Sequence, residues 1–357
     1  MGMPVEQPEN QWELSDRTRT AAVLMEPIND PAGWRREDLE GNARWIYRVN
    51  DREIAEVLMA VAKIEERGLA IKDITKDVFS LPLLGPQLGS IRDELMEGRG
   101  FAIIRGLPIK DRSREQIAIA FWGIGTWIGE ARSQNGKGHL LGHVKDIGED
   151  YAKARGYMTR QEMHFHTDRA DILTLCCLHP AKSGGQHRIC SSVTVYNEIL
   201  KRRPDLAKEL TWRFYRERKG EMPPGETEPW VREPIFSVQD GYFAARGPSA
   251  PVLKAQTIPG VPKFTPAQKE AIDTFMDMAK ELAIDIDLEV GDISFLMNHV
   301  ILHARTDYED HPEPERKRHL LRLWLATGLR PLQEDVHKAL QGVVVEGTVF
   351  QTPLDVT

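Results

Sequence analysis

The chain has 357 residues, 41% of them hydrophobic, enough for one large domain with elaborations or for two modest ones. Charged residues make up 28% and the formal net charge is -7, a balance that argues against nucleic acid or an anionic membrane as the principal partner. The three cysteines, Cys176, Cys177 and Cys190, are too few for a disulfide framework, and their spacing fits no zinc site. They read as reduced, buried thiols. The stretch from Met1 to Gln11 is polar and lacks an apolar core, and no apolar run approaches the roughly 20 residues of a membrane span. A cytoplasmic protein is expected, and the sequence is compatible with a homo-oligomer.

Residues 1–50 read as an irregular arm anchored by Trp12, Trp34 and Trp45. A helix follows, with Asp51 as its cap, Ile54, Val57, Leu58, Val61 and Ile64 at helical spacing, and Gly68 at its end. A shorter helix is expected from Ser90 to Glu97, then a buried strand at Phe101–Ile104. Ser113 and Gln116 form a capping-box pattern ahead of another helix. From Leu140 to Val195 the texture changes to short β-type runs broken by Gly, Pro and Asp. A helix is expected from Thr194 to Leu200, before Pro204. Residues 217–230 read as a long loop and a candidate lid. Thr265, Pro266 and Gln268 mark a strong helix start. Strand-like runs return at Ile284–Val290, Ile293–Met297 and His319–Ala326. This order suits a mostly β chain, a jelly-roll core with flanking helices, more than a parallel α/β sheet.

The segment Glu162 to Arg169, Glu-Met-His-Phe-His-Thr-Asp-Arg, carries the chemistry. On an extended strand His166 and Asp168 share a face, about 6–7 Å apart along the backbone. His164 lies on the same face and competes. Two histidines and one carboxylate on one face of an octahedron leave three positions open, the arrangement of a non-haem Fe(II) oxygenase. A bare His-x-Asp arises often by chance, so a second segment matters. Glu289-Val-Gly-Asp292 reads as a turn feeding the strand Ile293 to Asn298, and His303 follows the apolar run after it. His299 and His303 are four apart, a zinc-pair spacing on a helix, but their β-branched and aromatic neighbours argue against a helix. In a third segment, Arg318, Leu320 and Arg322 share a strand face among apolar neighbours, and a buried arginine offers a fork for a carboxylate.

Taken in order, His166-Thr-Asp168, Ser183-Gly-Gly185, Gly291-Asp with Leu302-His303-Ala-Arg305, and Arg318 with Arg322 resemble the taurine dioxygenase group, which includes 2,4-dichlorophenoxyacetate dioxygenase and clavaminate-synthase-like enzymes. The resemblance spans roughly residues 100–327. It implies a double-stranded β-helix and a reaction that consumes Fe(II)-bound 2-oxoglutarate and O2, releases succinate and CO2, and oxidises a C–H bond, most simply by hydroxylation. It implies His166, Asp168 and His303 as iron ligands and Arg318 as the partner of the distal carboxylate of 2-oxoglutarate. Arg322 matches a position that in some members contacts an acidic group of the substrate. Where many members have Gly-Gly-Asp-Thr, this chain has Gly184-Gly-Gln-His187, so His187, Ser191 or Ser192 is left to replace the threonine contact. Asp168 itself disfavours halogenation, because halogenating members carry a small residue there.

Gln134 and Asn135 either line the substrate pocket or form an ordinary polar turn. The resemblance fits one dioxygenase domain over 51–330, with a helical insertion at about 194–285 and a C-terminal extension over 331–357. The expected partner is a small molecule bearing a carboxylate, such as an amino acid or a natural-product intermediate. The residues alone leave three other readings open: a β-helix protein that binds a small acid without catalysis, a zinc hydrolase, and an iron enzyme that uses no 2-oxo acid, which leaves Arg318 unexplained.

Overall fold

The computed structural model describes residues 10–148 and 156–356, so the first nine residues of the expected arm and Thr357 at the end of the expected extension lie outside it. The arm is less irregular than expected. It forms a short helix, α1 (Arg36–Leu39), and a strand, β1 (Ile46–Arg48), that runs parallel to β2 (Phe101–Arg105) with Ile46 opposite Ile103. Its tryptophans do anchor it. The Trp34 indole N–H donates to Arg99 O at 2.9 Å, and the Trp34 and Trp45 rings stand 5.3 and 5.7 Å from that of Phe101.

Helix α2 (Asp51–Arg67) is capped by Asn50 rather than Asp51. The Asn50 side chain accepts from Arg52 and Glu53 N–H, and Glu53 reaches back to Asn50 N–H. Gly68, at φ 59°, ends the helix as expected. Helix α3 (Gly85–Glu97) begins five residues ahead of Ser90, because Pro86 fits a first turn that the apolar spacing alone does not mark. Helix α4 (Arg114–Gly125) carries the reciprocal Ser113–Gln116 cap.

Two antiparallel-rich sheets form the centre. The larger orders β1, β2, β14 (Ile293–Met297), β6 (Ile172–His179), β17 (His319–Ala326) and β3 (Glu130–Arg132), with β4 (Gly142–Val144) also paired to β17. The smaller orders β13 (Ile284–Ile286), β8 (His187–Ser191), β15 (Ile301–Arg305) and β5 (Met163–His166). β13 stops at Ile286, short of Val290. No pairing among the described residues closes the sheets into a barrel; the result is the expected jelly roll with helices around it. Every residue of β17 is buried. Leu323 and Leu325 pack toward Gly125 of α4, so Arg322 and Trp324, at the alternate positions, point between the sheets.

Between β8 and β13 the chain forms α5 (Ser192–Arg202) and α6 (Pro204–Glu209). It continues through the hairpin of β9 (Arg213–Glu217) and β10 (Trp230–Pro234) and the hairpin of β11 (Phe236–Gln239) and β12 (Tyr242–Ala245). Helices α7 (Ala250–Ala255) and α8 (Pro266–Glu281) complete the segment. The segment is therefore mixed rather than helical. α5 starts two residues before Thr194, because the Ser191 hydroxyl caps it by accepting from Thr194 N–H. The stretch expected as a long loop is the tip of the β9–β10 hairpin. Two further two-residue strands, β7 (Ser183–Gly184) and β16 (Tyr308–Glu309), pair with each other. After the short helix α9 (Glu334–Ala339) the chain lies along residues 133–140: Val343 N–H donates to Ser133 O, Leu140 N–H to Gln351 O and Gln351 N–H to Gly138 O. The three cysteines are free and buried, and no described helix is long and apolar enough to cross a membrane.

The expected turn ahead of β14 is built around Asp292, fully buried, whose carboxylate takes the Arg105 fork at 2.7–3.1 Å and accepts from Glu289 N–H. Gly291 in this turn has φ +88°, and a Cβ there would lie 2.1 Å from the Leu107 carbonyl oxygen. Gly291→Ala is expected to cost about 1–3 kcal/mol through strain and overpacking, read as a lower urea midpoint. An unchanged midpoint would contradict this account of the turn.

Candidate metal centre

The register of the smaller sheet builds the centre. His303 on β15 lies directly opposite His166 on β5, so both imidazoles project from one face, with ring centroids 4.1 Å apart. Asp168 is not on the strand that carries His166, as alternation suggested. β5 ends at His166, and Asp168 lies two residues beyond it. Its backbone is fixed from outside: Asp168 N–H donates to Asn298 Oδ1 at 3.1 Å, and Arg246 Nη1 donates to Asp168 O at 2.8 Å. Arg246 also pairs with the buried Glu233 of β10, so the long insertion reaches the loop that carries this carboxylate.

The ligand-type atoms of His166, Asp168 and His303 all lie within 4.8 Å of one another. Asp168 Oδ1 is 3.9 Å from His166 Nε2, and Oδ2 is 3.9 Å from His303 Nε2. His166 Nδ1 sits 2.9 Å from His164 O. A carbonyl only accepts, so Nδ1 carries the proton and Nε2 keeps its lone pair for a metal. His164 serves in this way through its backbone, while its side chain is exposed. Burial lowers the pKa of both His166 and His303 below the ordinary imidazole value, with the neighbouring charges as smaller influences. Burial pushes the Asp168 carboxyl upward, but Arg322, the two histidines and the Trp324 N–H outweigh it and hold it at about 2. The centre thus offers two neutral imidazoles and one carboxylate, the donor set that suits a divalent iron.

Arg318 and His187 come to the same region. Arg318 is buried, donates to Gly185 O at 3.2 Å and stands 5.2 Å from the Tyr308 ring, yet its Nη1 has no hydrogen-bond partner among the described residues. Gly185, at φ +71°, permits this approach, because a Cβ there would lie 2.9 Å from Arg318 Nε. The His187 ring is nearly parallel to that of His303, with centroids 6.3 Å apart, and its Nε2 is also unpartnered among the described residues. Burial, and secondarily the Arg318 charge, push the His187 pKa down to about 3. A buried guanidinium and a neutral imidazole with open positions are what a bound carboxylate would satisfy. Ser192 is not brought to this place. It is the first residue of α5, beyond the far end of β8 and about 16 Å along the chain from His187.

Arg322 faces the centre with Nη1 3.5 Å from Asp168 Oδ2, between the rings of Tyr157 (4.5 Å) and Trp324 (5.0 Å). Gln134 holds it there: its Oε1 accepts from Arg322 Nε at 2.6 Å, while its Nε2 donates to Leu140 O and Arg322 O. Asn135 Oδ1 accepts from Lys137 and His139 N–H, the ordinary polar turn. Trp324, Asn298 and Arg246 were not singled out in the sequence. Trp324 continues the alternation of Arg318, Leu320 and Arg322, a signal that was present. Asn298 and Arg246 carry no local signal, since only tertiary folding brings them to Asp168.

A second group, His143, His319 and Asp355, also has metal-ligand residue types within reach. Its nitrogens are already used. Arg114 donates to His319 Nδ1 at 3.1 Å, His319 Nε2 and His143 Nδ1 lie 2.9 Å apart, and His143 Nε2 lies 2.8 Å from Pro353 O. One proton arrangement satisfies the whole row: His319 Nε2–H to His143, and His143 Nε2–H to the carbonyl.

Comparison with known proteins agrees with this geometry. Residues 67–324 match the family model described as taurine catabolism dioxygenase TauD, TfdA family. The chain is 30% identical over 314 residues to the FR-33289 synthase of Streptomyces rubellomurinus, covering 85% of this chain and 91% of that protein. It is 30% identical over 358 residues to a taurine hydroxylase-like protein of Stachybotrys chartarum, covering 93% and 90%. Among solved structures, the fold is similar to that of an asparagine oxygenase in complex with Fe(II), 2S,3S-3-hydroxyasparagine and succinate, at TM-score 0.64 and 16% identity over 85% of this chain and 99% of that one. It is also similar to the non-heme iron oxygenase OrfP in complex with Fe and alpha-ketoglutaric acid, at TM-score 0.53 and 16% identity over 79% and 94%. The chain belongs to the TauD/TfdA family and is an Fe(II)- and 2-oxoglutarate-dependent dioxygenase.

Proposed function

We propose that this dioxygenase holds its iron through His166, Asp168 and His303, takes 2-oxoglutarate at Arg318 and His187, and hydroxylates a small anionic substrate steered by Arg322. The observation that carries the reading is the buried Arg318 guanidinium, its Nη1 without a partner among the described residues and its charge felt by His187, whose ring lies parallel to that of His303. When bound, iron together with 2-oxoglutarate and O2 supplies the oxidant for a C–H bond and yields succinate and CO2.

The protein's own part is positioning. His164 O fixes the His166 tautomer. Arg318 meets the distal carboxylate of 2-oxoglutarate. His187 stands where many relatives carry threonine and offers that carboxylate a neutral imidazole. Gln134 acts on substrate through Arg322, whose cationic head it orients. An amino acid or a related small acid fits such a site, and the solved relatives include complexes with hydroxyasparagine and with (3S)-hydroxy-L-Arg. We take residues 51–330 as the catalytic domain, with 194–285 as its insertion and 1–50 and 331–357 as flanking segments. Three buried free thiols suit a reducing cytoplasm.

Anaerobic protein with Fe(II) and 2-oxoglutarate is expected to develop a weak visible charge-transfer band that Asp168→Ala and His166→Ala each abolish. A band that persists in both variants would sink the ligand assignment. Arg318→Ala is expected to weaken 2-oxoglutarate binding roughly 10- to 100-fold, from loss of a charge-assisted contact, measured by titrating that band. Unchanged affinity would move the role elsewhere. A panel of amino acids, small carboxylic acids and uncharged analogues, scored by succinate release and product mass, tests the substrate class. Turnover of acids that falls in Arg322→Met is the expected outcome; equal turnover of uncharged analogues contradicts the role of Arg322.

A further inference from the structure

The two oxygens of Asp168 are in different situations. Oδ2 accepts the Trp324 indole N–H at 2.7 Å and also has Arg322 Nη1 3.5 Å away. Each oxygen lies 3.9 Å from one imidazole Nε2, Oδ1 from His166 and Oδ2 from His303, but Oδ1 has no hydrogen-bond donor among the described residues. The donor's place is set by strand pairing on both sides. Trp324 is buried within β17, opposite Leu173 on one side and Arg132 on the other. Asp168 lies beyond the end of β5, where Asn298 and Arg246 hold its backbone and the Trp324 N–H is its side chain's one hydrogen-bond donor among the described residues. A carboxylate free to rotate presents a cation with either oxygen or with both. An N–H fixed on one oxygen removes that freedom and engages part of its charge.

We propose that Trp324 is a positioning residue: its indole N–H holds Oδ2 of Asp168, so that Oδ1 alone is presented to a divalent metal between His166 and His303. The inference rests on the metal reading above and adds to it the residue that sets how the carboxylate is offered. The same ring stands 5.0 Å from the Arg322 guanidinium, so one side chain orients both the metal-binding carboxylate and the arginine assigned to substrate.

Trp324→Phe keeps an aromatic ring and removes the N–H. Titration of metal-free protein with Co(II), followed by its d–d absorption, is expected to show about 10- to 100-fold weaker binding in this variant, with an altered band shape. Trp324→Gln, which restores an N–H donor without the ring, is expected to regain part of the affinity. A purely structural role would instead lower the melting temperature of both variants and leave the band shape of the folded fraction unchanged. Wild-type affinity and band shape in Trp324→Phe overturn the proposal. Should that variant not fold, protein labelled with 15N at the tryptophan indoles decides the matter. One indole N–H resonance is expected at low field in the wild type and shifted in Asp168→Ala, whereas an unmoved set of indole resonances overturns the proposal. Asp168→Ala also separates the two readings. If it binds Co(II) as the wild type does, the metal reading itself fails; if it loses Co(II) while Trp324→Phe does not, only the role of Trp324 fails.

Discussion

The register that sets His303 opposite His166 is the constraint on which the rest of the centre depends. A slip of one residue between β15 and β5 would turn His303 to the other face of the smaller sheet and separate the imidazoles. That register is held from both flanks, because β15 also pairs with β8 along its length, from Ile301 opposite Ser191 to Arg305 opposite His187. The same pairing places His187 diagonally beside His303, and the nearly parallel rings follow from it. The larger sheet then closes the centre with the inward residues of β17, whose outward leucines are fixed against α4. Neither sheet alone assembles the constellation.

Charge explains why the buried groups tolerate one another. Two imidazoles this close cannot both ionise without repulsion, and burial already disfavours the charged form, so both remain neutral with lone pairs available. The carboxylate stays ionised because Arg322 and the Trp324 N–H compensate for its lost water. Arg318 is the exception, a buried cation with an unsatisfied donor among the described residues. Burying such a group is costly unless an anion arrives, so the energetics of that pocket favour occupancy by a carboxylate. On the proposed reading, 2-oxoglutarate is the anion that relieves this cost.

Much of this was legible in the sequence where chemistry is local. Alternation put Leu320 and Arg322 on one face of β17, although Arg318 lies just ahead of that strand; the turn before β14 was marked by Gly291-Asp292, and the caps at Ser113 and Thr265 are where their side chains suggested. The misses share a cause. Asp168 was taken to continue the strand of His166, yet its position is set by Asn298 and Arg246, 130 and 78 residues away. Ser192 was grouped with His187 by nearness in sequence, although an extended β8 separates them. The arm was read as irregular because a three-residue strand has no periodicity to detect, and only its pairing with β2 reveals it. In the insertion, strand-forming residues alternated too briefly to compete with the helix signals around them.

The C-terminal residues described beside 133–140 have a practical meaning. Gln351 is bonded on both sides to the segment that carries Gln134, and the row from Arg114 through two histidines ends on Pro353. Gln134 in turn anchors Arg322. Residues 351–353 therefore act as a brace on Arg322, the arginine proposed to steer substrate. A chain trimmed before Gln351 is expected to loosen this brace, although it removes none of His166, Asp168 and His303.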